Sequence, residues 1–101
     1  MKNLKEKTER KNLNTENVKK EIHNAFRKYK SSVGVYGSGS EVAENDEENL
    51  ISLLHDASLS KYIQFTIFGA GYEYLVNLRI YGETDPRTID SAYYFENLLI
   101  N

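Results

Sequence analysis

Between residues 15 and 30 apolar side chains recur at helical spacing. Val18, Ile22, Ala25, Phe26 and Tyr29 fall at i, i+4, i+7, i+8 and i+11, while Lys19, Lys20, Arg27, Lys28 and Lys30 lie elsewhere around the turn. The pattern predicts an amphipathic helix with Ile22 and Phe26 on its buried face. Residues 1–14, ahead of it, are polar and mixed in charge, with Leu4 and Leu13 alone available to pack. They read as a flexible or frayed tail.

The next stretch, SSVGVYGSGSEVAENDEE at residues 31–48, places glycines at 34, 37 and 39 and then five carboxylates. Its Gly-x-x-Gly-x-Gly order departs from both the dinucleotide fingerprint and the phosphate loop. Glu41, Glu44, Asp46, Glu47 and Glu48 would repel a bound anion, and no Lys or Arg stands between Lys30 and Lys61 to offset them. The stretch is therefore expected to be a joint: a short strand at 32–36, then a Gly/Ser loop. Asn45 and Glu48 have the spacing of a capping pair, which predicts a helix carried on by Leu50, Ile51, Leu54 and Ala57.

Residues 61–82, KYIQFTIFGAGYEYLVNLRIYG, contain two period-2 runs on either side of Gly69-Ala70-Gly71. A two-residue Gly69-Ala70 loop predicts an antiparallel hairpin with Ile67 opposite Tyr72, Phe65 opposite Tyr74 and Ile63 opposite Val76. Leu78 and Ile80 would extend the buried face. The outer face would carry Tyr62, Gln64, Thr66 and Phe68 on one strand and Glu73, Leu75, Asn77, Arg79 and Tyr81 on the other. Thr84-Asp85-Pro86-Arg87 then marks a helix start, with Asp85 as cap and Pro86 at the first helical position. Ile89, Ala92, Tyr93, Leu99 and Ile100 fall near one stripe of that helix, a terminal strand being the alternative. The expected fold is α+β: one small domain over 15–101, with an N-terminal amphipathic helix, a central antiparallel hairpin or three-stranded sheet, and helices packed on one face.

Composition narrows the class further. A chain of 101 residues suits a single core, and 40% hydrophobic with 12% aromatic residues exceeds the content of a disordered chain. No apolar run approaches the ~18 residues of a membrane span, and the N-terminus lacks the apolar stretch of a secretory signal. Absence of cysteine removes disulfides and thiolate metal sites. A cytoplasmic location is expected. The net charge of −2 hides a division: residues 1–30 hold ten Lys/Arg against four Glu, and residues 31–101 hold three against eleven acids. A field of one sign over one surface steers association, so the division bears on partners.

Catalytic constellations are lacking. His23 and His55 have no partners at metal-ligand spacing, no Gly-x-Ser-x-Gly occurs, and carboxylate pairs are confined to 41–48. The chain reads as a non-enzymatic protein without cofactor or metal. Two surfaces are candidates for binding another protein: the acidic set Glu41, Glu44, Asp46, Glu47 and Glu48, and the polar–aromatic set Tyr62, Gln64, Asn77, Arg79 and Tyr81. Acidic residues complement a basic or nucleic-acid-binding partner, and Tyr and Arg are favoured anchors. In size, acidity and composition, though in no motif, the chain resembles the small inhibitors carried by phages and mobile elements, such as anti-CRISPR and anti-restriction proteins, or toxin-immunity proteins. That resemblance implies stoichiometric inhibition of another protein. The alternative is a nucleic-acid-binding accessory protein using the basic N-terminal helix. No membrane partner is expected, and a homodimer is compatible with either reading.

Overall fold

The computed structural model describes residues 13–101. It contains four α-helices, α1 (Thr15–Tyr36), α2 (Glu41–His55), α3 (Phe65–Tyr81) and α4 (Pro86–Ile100), with a 3-10 turn at Ser60–Tyr62 between α2 and α3. Among the described residues there is no strand, so the expected α+β architecture is replaced by a small helical bundle. Most of the expected N-terminal tail lies outside the described residues. Its last two positions belong to the bundle: Leu13 packs against the core, and the Asn14 side chain accepts from the Asn17 N–H at 2.8 Å, capping α1.

The predicted stripe of α1 is buried in full, from Val18 to Tyr29. The same periodicity continues through Ser32 and Val33, so residues expected as a strand form the last turn of the helix. Gly37 stops it: its φ of +90° suits glycine alone at little cost, and its N–H returns to the Val33 carbonyl at 2.9 Å. Three residues on, Ser40 starts α2 by accepting from the Ala43 N–H at 3.1 Å. The helix therefore begins ahead of the expected Asn45–Glu48 cap, and residues 41–48 lie wholly on it. It ends at His55, before Ala57.

The hairpin over 61–82 is overturned. Gly69 and Gly71 lie within α3, and the glycines with positive φ are 37 and 82, so the type II′ turn is absent. The buried residues of α3, Ile67, Ala70, Gly71, Tyr74, Leu75 and Leu78, follow i, i+3, i+4, i+7, i+8 and i+11. Ile63, Phe65 and Ile67 before the glycines and Tyr72, Tyr74, Val76, Leu78 and Ile80 after them each alternate along the chain, which is why the stretch also fits a period of two. A two-stranded ribbon leaves its outer backbone groups unpaired, whereas a helix satisfies them locally. Gly71 then permits a close approach, since a Cβ there would lie 3.1 Å from both Leu54 Cδ1 and Phe95 Cζ. The far side of α3 is also apolar, with Phe65, Val76 and Ile80 exposed, and this obscures the helical stripe in the sequence.

Asp85 caps α4 as expected, accepting from the Arg87 N–H at 2.9 Å, and Pro86 takes the first position. Its buried face is rotated from the expected one. Thr88, Ser91, Ala92, Phe95 and Leu99 face inward, whereas Ile89, Tyr93 and Ile100 are exposed. α1 packs on α2 and α4, and α3 packs on α4. Phe26 joins them, with its ring edge-on to Tyr74 at 5.1 Å and to Phe95 at 4.9 Å. α2 and α3 meet closely at Leu54 and Gly71, while toward the start of α2 a cleft opens between them.

A candidate acidic cleft between two helices

A helix turns about 100° per residue, so Glu44, Glu47 and Glu48 share one face of α2. That face lines a cleft of about 430 Å³, with Tyr29 of α1 and Leu78 of α3 contributing to its wall, Arg79 across from the acids, and Ser38-Gly39 of the joint at one end. Glu47 is the organising group. Its Oε2 accepts from the Tyr29 hydroxyl at 3.0 Å, and its Oε1 accepts from Arg79 Nη2 at 3.2 Å.

Burial raises the Tyr29 phenol well above its ordinary value of 10.0, and the charge and hydrogen bond of Glu47 add to the effect. Tyr29 is therefore a protonated donor that orients Glu47. The Arg79 side chain is 74% exposed, so the pair contributes about 0–1 kcal/mol to stability, and the guanidinium is free to exchange for another cation. Glu44 and Glu48 flank it without a basic partner among the described residues. Arranged so, the cleft offers carboxylates to a guanidinium or ammonium group.

A pH dependence follows from Tyr29. A folded-state pKa raised above the unfolded one means that the protonated phenol stabilises the fold. This contribution is complete below the unfolded value and is lost as pH rises toward the folded one. Thermal melts between about pH 8 and 11 should show a constant melting temperature that falls past about pH 10. Tyr29→Phe should make the fall shallower without abolishing it, because burial also raises the phenol of Tyr74. An identical slope in the variant would show that Tyr29 ionises freely in the fold.

The structure gathers some of the sequence candidates and disperses others. Glu44, Glu47, Glu48 and Arg79 meet at the cleft, and Glu41 stands exposed in the first turn of the same helix. Asp46 points the other way: it is 8% exposed, accepts from Ser32 Oγ and lies 3.7 Å from Lys28 Nζ, binding α2 to α1. The polar–aromatic set does not form one face. Tyr62 is half-buried against the core with Lys61 Nζ 5.2 Å above its ring, and Gln64 is exposed at the start of α3. Asn77 donates to Ser91 Oγ at 3.3 Å, and Tyr81 lies 3.6 Å beneath the Arg87 guanidinium. Both line a second groove, between α3 and α4. Alternate residues share a face on a strand but diverge by about 200° on a helix, so the expected surface divides.

Tyr29 was legible only as a core residue; the one hint of a further role was a hydroxyl on an otherwise apolar stripe. The histidines are engaged singly, His23 with Glu96 at 3.1 Å and His55 with the Tyr72 hydroxyl. No group of three or more His, Cys, Asp or Glu suited to a metal occurs among the described residues. No described helix is long and apolar enough to cross a membrane. The fold and site thus define a small helical bundle with an acidic interhelical cleft. Comparison with protein-family models, curated proteins and solved structures finds no match.

Proposed function

We propose that the chain is a non-enzymatic protein-binding module that inhibits its partner stoichiometrically, taking a basic side chain of that partner into the cleft between α2 and α3. The observation that carries the reading is the convergence of Glu44, Glu47 and Glu48 on one cleft, where Arg79 already occupies part of the acidic wall. A partner arginine exchanges with Arg79 at small cost, because a charge-assisted pair replaces one of the same kind. Glu41 extends the negative field and steers approach. A basic or nucleic-acid-binding protein surface is the matching partner, in the manner of phage or mobile-element inhibitors of the anti-CRISPR or anti-restriction kind, or of toxin-immunity proteins, and a cytoplasmic setting belongs to the same reading. Direct nucleic-acid binding through α1 has less support, since Lys19 is buried and Lys28 reaches Asp46.

The test uses the full chain as bait to capture its partner, followed by binding kinetics on the purified pair. Changing Glu41, Glu44, Glu47 and Glu48 together to Gln should slow association about tenfold or more at low salt and flatten its salt dependence. Dissociation should change less. An on-rate equal to wild type at low salt would remove the electrostatic reading and direct attention to the groove holding Asn77 and Tyr81.

A further inference from the structure

We propose that a second cleft, between α1 and α4, is a binding site for a small zwitterion: a free α-amino acid with an apolar or aromatic side chain. The cleft measures about 290 Å³ and shares no lining residue with the acidic one. Ligand sites start at roughly 300 Å³, so its size suits a single amino acid.

Opposite charges face this space. Lys30 lines it from α1, and Glu83 lines it from the turn after α3. The Glu83 carboxylate lies 4.0 Å from where a Cβ would stand on Gly34, one helical turn beyond Lys30 on the same face. Neither forms an ion pair among the described residues, and Lys30 instead holds its ammonium 5.3 Å above the Phe26 ring. A lone anion would meet Glu83 and a lone cation would meet Lys30, whereas a zwitterion satisfies both.

Deeper in, Thr88 is 2% exposed and lines the same cleft, and its Oγ1 has no hydrogen-bond partner among the described residues. A buried hydroxyl left unpaired costs about 1–3 kcal/mol, so it calls for a bound polar group. Tyr74 beside it keeps its phenolic proton, through burial first and then the negative charges of Glu83 and Glu47, and so serves as a donor. Ile89 and Tyr93, exposed on α4 with no core role, supply an apolar wall for the ligand's side chain.

The test is a heteronuclear NMR titration of the full chain with L-leucine and L-phenylalanine. N-acetyl-L-phenylalanine and L-phenylalanine amide, each lacking one of the two charges, serve as controls. Saturable shifts centred on Lys30, Tyr74, Glu83 and Thr88 are expected, and each control should bind about tenfold more weakly or worse. Lys30→Met and Glu83→Gln should weaken binding to a similar degree with the helical circular dichroism unchanged. Thr88→Val, which keeps the shape and removes the hydroxyl, should weaken binding while the free protein melts no lower. No saturable response up to the solubility limit, a response indifferent to N-acetylation and amidation, or shifts centred elsewhere would overturn the proposal.

Discussion

Phe26→Ala is expected to lower unfolding free energy by about 3–5 kcal/mol, the range for deleting a fully buried aromatic ring. Phe26 has no exposed surface and touches the rings of Tyr74 and Phe95, so one truncation loosens α1, α3 and α4 together. Edge-to-face pairs of this kind contribute about 0.5–1.5 kcal/mol each beyond area burial, which places the loss toward the upper end. A bundle of this size has roughly 5–15 kcal/mol in reserve, so the variant should melt far lower or populate the unfolded state. Urea denaturation followed by circular dichroism measures the change. A loss below about 1 kcal/mol would mean that α1 does not sit in the core as described.

Gly71→Val and Gly69→Ala should move stability in opposite directions. At Gly71 even a Cβ would stand 3.1 Å from Leu54 Cδ1 and Phe95 Cζ, and valine adds two further methyl groups to that contact. Overpacking of this sort costs about 1–3 kcal/mol, and more where a helix pair must separate. Gly69 sits two residues away with nothing within 4 Å of its Cβ position. Alanine there should stabilise α3 by about 0.5–1 kcal/mol through restricted backbone freedom. The pair also discriminates between helix and hairpin. A hairpin would require positive φ at Gly69, where alanine is strained, and so would destabilise the variant predicted here to gain. Thermal melts of the two variants beside wild type decide the matter.

Several elements were legible because their determinants are local. The α1 stripe from Val18 to Tyr29, the Asp85 cap and Pro86 at the start of α4 depend on neighbours within a turn or two, and the structure places each as read. The joint at 37–40 was legible in kind but displaced in extent, because Ser40 rather than Asn45 captures the free N–H groups at the start of α2. The candidate site was legible in part. The five carboxylates of residues 41–48 must share faces of one helix in fixed combinations, yet which face meets solvent depends on α1. Asp46 shows this, drawn inward by Ser32 and Lys28 while Glu44 and Glu48 on the same helix face the cleft.

An amphipathic first helix, a glycine–serine joint, a capped last helix, the absence of cysteine and the separation of basic from acidic charge along the chain all follow from the order of residues alone. That residues 65–81 are helical was settled by packing, because their apolar side chains satisfy both a period of two and one of 3.6. The choice fell to contacts far away in sequence: Gly71 admitting Leu54 and Phe95, and Tyr74 meeting Phe26. Tertiary structure alone likewise brought Tyr29, Glu47 and Arg79 together. Local spacing sets which side chains share a face of one element, and packing between elements sets what that face meets.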